Sequence, residues 1–164
     1  MKQLRILFQL FFLMTVFNAA FSQEVKQEES SKEASVRKMI ESKDYVFIAQ
    51  FVLPTRGPMR QLTSEYDLKV SKEEIEAYLP FFGRAYSAPM NASEGGIKFT
   101  SDEYDYKIKA RKKGGWDISI KPEDVRDVRK LFLSVFANGD ASLRVLSTNR
   151  ETIAFNGYIK DKSN

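Results

Sequence analysis

The chain has 164 residues, a formal net charge of +4, and neither histidine nor cysteine. Its length suits one domain. Without imidazole or thiol there is no Ser–His–Asp triad, no histidine base, no cysteine nucleophile, no disulfide and no thiolate metal site. A domain of this size can stand on its hydrophobic core alone.

The N-terminus reads as a secretory leader over residues 1–22. Lys2 and Arg5 form a positive start, and Ile6 to Phe17 is an apolar run. Ala20 and Ser22 are the small residues before a cleavage point, with Gln23 following. The run is shorter than the roughly 20 residues a membrane helix needs, so no membrane span is expected after cleavage. No cysteine stands at the cleavage point, so lipid anchoring through this leader is not expected. Lys2 and Arg5 are the only charges in 1–22, so their removal lowers +4 to +2. The remaining charges are mixed and scattered, without the basic stripe that neutralises phosphates. Nucleic acid is therefore not an expected partner.

Residues 23–32, "QEVKQEESSK", are polar and read as a solvated tether. The domain proper spans 33–162. In "EASVRKMIES" (Glu33 to Ser42), Val36, Met39 and Ile40 share one face of a short helix. Period two follows. "YVFIAQFV" (Tyr45 to Val52) is apolar on both faces and predicts a buried strand. "SEYDLKV" (Ser64 to Val70) alternates, with Tyr66, Leu68 and Val70 inward. Ser71 and Glu74 have capping-box spacing and predict a helical turn over "SKEEIEAYL". Gly96 to Ser101, Tyr104 to Arg111 and Trp116 to Ile120 predict three strands, with a hairpin turn at Lys113-Gly114-Gly115. Pro122, Glu123 and Asp124 predict one or two helical turns. Lys130 to Phe136, Ala141 to Ser147 and Thr152 to Ile159 complete about eight strands. Asn138-Gly139 predicts a two-residue hairpin with both residues at positive φ.

Tight turns between successive strands imply antiparallel neighbours. The expected fold is mainly β: a meander of about eight antiparallel strands, closed as a barrel or a two-layer sandwich, with a short N-terminal helix. A flatter sheet covered by the helix is the alternative.

The blocks "AYLPFFGRAYSAPM", "GGIKFTS", "KKGGWDISIKP" and "NGDASLRVLSTNRETIAFNGYI" resemble those of a family of secreted Bacteroidota proteins described as domain of unknown function 4251. The resemblance runs from about Ser35 to Ile159. It implies a mainly-β domain and a periplasmic or secreted address in a Gram-negative cell. It supplies no activity and no catalytic residue.

The stretch "YLPFFGRAYSAPM" (Tyr78 to Met90) is apolar but broken by Pro80, Gly83 and Pro89. It either plugs one end of the barrel or forms a pocket rim. In the second reading Phe82 and Tyr86 are aromatic walls and Arg84 clamps an anion with its planar fork. Trp116 shares the phase of Ile118 and Ile120, which makes it core, or else a ligand platform. Asp102, Glu103 and Asp105 crowd one strand edge without the loop pattern of a calcium site. No metal ligand, cofactor or catalytic residue is assigned. The expected function is a non-enzymatic binding module for a small apolar or anionic ligand or an envelope partner. A carboxylate- or tyrosine-based hydrolase and a purely structural interaction module are the alternatives, and the oligomeric state is open.

Protein recovered from the periplasm or medium should begin at Gln23. N-terminal sequencing or intact mass decides it, and envelope-located protein retaining Met1 would overturn the leader assignment.

Overall fold

The computed structural model describes residues 31–86, 95–112 and 114–162. Residues 1–30, expected above to be a leader and most of a tether, and the end of the aromatic stretch from Ser87 lie outside them. A helix, α1, covers 31–42, starting two residues before Glu33. Nine strands follow: β1 (Tyr45–Pro54), β2 (Arg60–Val70), β3 (Ile75–Leu79), β4 (Ile97–Ser101), β5 (Tyr104–Ala110), β6 (Trp116–Pro122), β7 (Val128–Val135), β8 (Asp140–Ser147) and β9 (Ile153–Lys160).

They form one sheet in the order β4-β3-β2-β1-β9-β8-β7-β6-β5, with every neighbouring pair antiparallel. The first and last strands in sequence are thus central and paired with each other. The sheet curls into a nearly closed barrel. Its two edge strands, β4 and β5, are separated in sequence by only Asp102 and Glu103. Strand direction alternates along the order, and nine is odd, so β4 and β5 point the same way. The chain does not reverse between them. They are two halves of one bent strand, the first paired with β3 and the second with β6. At the bend Ser101, the one buried polar residue among the described residues, donates its hydroxyl to an Asp124 carboxylate oxygen. Its oxygen also lies 3.0 Å from the Glu103 carbonyl.

The inward residues of the strands make a single core cluster. Tyr45, Phe47, Leu68, Ile118, Leu133, Leu143 and Phe155 are at most 1 % exposed. The barrel interior is therefore filled with side chains, as small barrels are. At the β1–β9 contact the register shifts beyond Ala49, and a Cβ on Gly157 would lie 1.8 Å from the Ile48 carbonyl oxygen. Only glycine lets the two backbones approach that closely.

Helix α1 seals one end. Val36 and Ile40 enter the core. The Tyr106 hydroxyl donates to the Ile40 carbonyl at 3.3 Å, which leaves Tyr45 as donor in the 3.0 Å bond between the two hydroxyls. Burial pushes the Tyr106 phenol up to about 12, and burial also holds that of Tyr45 well above its ordinary value. Lys43 ends the helix at φ 53°, with its ammonium 5.4 and 5.0 Å from the Tyr104 and Tyr106 ring centres.

The segment 80–86 covers the opposite end. Phe81 is half-buried against the core. Tyr86 N–H donates to the Asn149 carbonyl at 2.7 Å, and Glu151 N–H to the Arg84 carbonyl at 3.0 Å. Of the two readings of the aromatic stretch, the described part fits the plug.

Three local expectations differ from the structure. Ile75–Leu79 is a strand, not a helical turn. Ser71 Oγ does accept the Glu74 N–H at 3.1 Å, as a cap would, but Ser71 N–H donates to the Glu74 carbonyl at 2.9 Å. That closes a tight reversal instead. Pro122 to Asp124 end β6 without a helix, because Asp124 is engaged by Ser101 across the bend. In the β7–β8 hairpin only Gly139 has positive φ, at 92°. Gly139 N–H donates to the Phe136 carbonyl and Phe136 N–H to the Asp140 carbonyl, so the loop is one residue longer than a two-residue turn.

Phe81→Ala should cost about 2 kcal/mol, within the range for burying one such ring. Phe82, with 37 % of its surface exposed, should cost less than about 1 kcal/mol on the same change. Urea denaturation of both variants measures the difference.

Candidate functional site

Trp116 and the segment holding Phe82, Arg84 and Tyr86 lie at opposite ends of the barrel. Trp116 is 6 % exposed, at the helix-covered end, with the Arg37 guanidinium 5.9 Å from its ring centre. Phe82, Arg84 and Tyr86 are exposed at the other end. Phe82 lies under the Arg60 guanidinium at 5.3 Å, and Tyr86 is 71 % exposed. It is the backbone of Arg84 that is engaged there: its N–H donates to Glu151 Oε2 at 3.2 Å.

The arginine built into that end is Arg150, which sequence reasoning missed. Its side chain is 14 % exposed. It donates to the Gly96 carbonyl at 2.8 Å, pairs with Asp127 at 3.0 Å and lies 5.4 Å from the Phe81 ring centre. It ties the β8–β9 loop to β4, to the β6–β7 loop and to the plug. Its position at a hairpin tip gave no local hint of this.

A groove of about 550 Å³ lies on the outer wall of β1, β2, β3 and β9. Strand register builds it. One row across the strands runs Glu76–Lys69–Val46–Lys160, and the next runs Tyr78–Asp67–Ile48–Tyr158. Val46 and Ile48 are the outward-facing residues of β1, alternating with the core residues Tyr45, Phe47 and Ala49. Together they form an apolar floor. One wall carries Glu65, Asp67, Glu74 and Glu76 with Lys69; the other carries Lys160 and Lys162. Lys69 is held by Glu76 at 3.0 Å, and that bond raises the lysine's pKa. Partial burial raises the Asp67 carboxyl; Lys69 opposes this, while Glu76 and Glu65 reinforce it. The sequence showed Tyr45 to Val52 to be apolar on both faces, but the neighbours of its outer face are set by pairing with β9, more than a hundred residues away.

Two smaller hollows flank β4. One, of about 300 Å³, is lined by Tyr66, Tyr78, Phe81 and Lys98 among others. There the two tyrosine rings stack at 5.4 Å, and the Lys98 ammonium lies 4.6 Å from the Tyr78 ring centre. The other, of about 260 Å³, lies between β4 and the β6–β7 loop. Among the described residues no group of three or more carboxylates could hold a metal ion, and no helix is long and apolar enough to cross a membrane.

The family model described as "Domain of unknown function (DUF4251)" matches residues 27–159. The chain belongs to the DUF4251 family. A crystal structure of a DUF4251 protein from Bacteroides eggerthii DSM 20697 is similar, with a TM-score of 0.59 and 16 % identity. The match covers 80 % of this chain and 88 % of that one. At that identity it speaks for the fold alone, and it agrees with the barrel described above. No curated protein matches the chain. The DUF4251 barrel thus comes with an architecture and a groove, and its chemistry has to be argued from its residues.

A carboxyl whose pKa is raised by folding favours the native state below its ordinary value of 3.8, and that benefit is lost as pH rises through the folded value. Asp67→Asn removes the cost of holding the charge at neutral pH. The variant should therefore melt at a higher temperature than the parent at pH 7 and show no gain at pH 3, as scanning fluorimetry at both pH values would report.

Proposed function

We propose that this DUF4251 domain is a non-enzymatic binding module of an exported protein, with its ligand site on the outer wall of the barrel. The observation that carries this is the apolar floor of Val46 and Ile48 between walls of opposite sign. The interior is filled by Phe47, Leu133, Leu143 and Phe155, so a ligand held as in a hollow carrier barrel has no room. The groove suits a small ligand with an apolar body and charged ends: an anionic end would meet Lys160 and Lys162, and a cationic end the acidic wall. Apolar walls with a few placed charges are what ligand sites commonly offer. Export rests on the leader-like N-terminus and supports a periplasmic or secreted ligand.

The hydrolase alternative draws less support. It needs a carboxyl pair with separated roles facing one substrate bond. In this groove Glu76 is already engaged by Lys69.

Protein purified from its own cell envelope should carry a small amphiphilic ligand detectable by native mass spectrometry. Ile48→Glu places a charge on the floor without touching the core and should release that ligand while melting within a few degrees of the parent. Retention of the same ligand by a folded Ile48→Glu variant would place the site elsewhere.

A further inference from the structure

The second edge of the sheet carries a different surface, independent of the groove. Among the described residues β5 pairs with β6 alone. In an antiparallel ladder the residues that exchange hydrogen bonds alternate with those that do not. Arg111 N–H donates to the Gly115 carbonyl and Glu123 N–H to the Glu103 carbonyl, which fixes the phase. Residues 103, 105, 107, 109 and 111 turn their backbone groups toward β6. Tyr104, Tyr106, Ile108 and Ala110 therefore turn theirs toward the free edge. The last two are exposed, Ile108 by 42 %. Ile108 shares the face of Tyr104 and Tyr106, which pack on the core, so this apolar face continues past the point where the barrel covers it.

The same strand is strongly basic. Lys107, Lys109, Arg111 and Lys112 follow one another within six residues. The acids facing them are Asp105, 3.8 Å from Lys107, and Asp117, 3.8 Å from Arg111. Arg111 lies 5.0 Å from the exposed Phe136 ring, and its buried Nη1 has no hydrogen-bond partner. Lysines on an edge strand repel basic strands and would lose water on pairing with a neutral one, which keeps an open edge from aggregating. Toward an acidic strand the same charges become attractive, so they select as well as protect.

We propose that the free edge of β5 takes an extended acidic polypeptide segment as an added strand. Its backbone would pair with Tyr106, Ile108 and Ala110. Its alternate side chains would fall beside Lys107 and Lys109 on one face and beside Ile108 and Ala110 on the other. The fitting partner sequence alternates acidic with apolar residues.

The test uses the purified protein and a fluorescein-labelled peptide of six Glu-Val repeats, with six Lys-Val repeats and inorganic polyphosphate as comparisons. The Glu-Val peptide should raise anisotropy, bind more weakly as salt increases, and slow amide exchange at Ile108 and Ala110 roughly tenfold or more. The Lys-Val peptide should not bind. Lys107→Glu/Lys109→Glu should weaken binding by roughly tenfold or more. Ile108→Pro removes an N–H that only an added strand would use, at an edge position where proline is tolerated. It should abolish peptide binding while the melting temperature stays within a few degrees. Failure of the Glu-Val peptide to bind would overturn the proposal. So would wild-type affinity in a folded Ile108→Pro protein, or polyphosphate displacing the peptide with no amide protection, since either marks a plain cationic surface.

Discussion

A ring of strands that are all antiparallel to their neighbours needs an even number of members. The described residues make nine strands, the first paired with the last, so one junction must break the rule. The break falls between β4 and β5, where the chain runs on in one direction instead of turning back. Much of the architecture follows from that bend. Ser101 is buried because it sits at the bend, and it is matched to Asp124 because a buried hydroxyl without a partner is costly. The hydrogen bond in turn holds the Asp124 carboxyl below its ordinary value. Beyond the bend each half-strand has, among the described residues, a strand partner on one side alone. Arg150 bridges the other side of β4 to the β6–β7 loop, while no described strand covers that side of β5.

The two barrel ends are closed by different chemistry. At one, a helix inserts Val36 and Ile40, and two buried phenols hydrogen-bond to each other and to the helix backbone. Both phenols favour their neutral form, so the stability they contribute is present below their ordinary value of 10 and is lost as pH rises through their raised values. At the other end an irregular segment is stitched to the β8–β9 loop by backbone bonds, and a guanidinium lies over the Phe81 ring. With both ends covered and the interior packed, the proposed ligand groove and the proposed docking edge both lie on the outside of the barrel.

Strand alternation made most of the fold legible in the sequence. The inward phase of Leu68 and Val70, and that of Ile118 and Ile120, fixed which faces meet. What the residues left ambiguous was local chemistry that serves two geometries equally. Ser71 with Glu74 satisfies a helix start and a tight reversal by the same hydroxyl–amide bond, and only the Ile75–Leu79 alternation, paired with both β2 and β4, decides for a strand. The groove was not legible at all. Val46 is neighbour to Lys69 and Lys160 because of register, and register between β1 and β9 is set by the Gly157 contact and the closure of the whole sheet. Of the four residues singled out for a ligand site, Trp116 went to the core and three to the surface of the plug, because the plug engages its partners through its backbone.

The pairing of β1 with β9 also sets an order of events. β1 lies between a neighbour close in sequence, β2, and one about a hundred residues later, β9. Until β9 arrives, Phe47 and Ala49 line a sheet with no second half, and Val46 lacks one of the two lysines that flank it. Contacts of such long sequence separation are slow to form, because loop-closure entropy is spent before they return anything. The chain therefore commits to its native topology only when its final strand is free to move, and a chain shortened before Ile153 would leave two open edges, on β1 and β8, in place of a barrel wall.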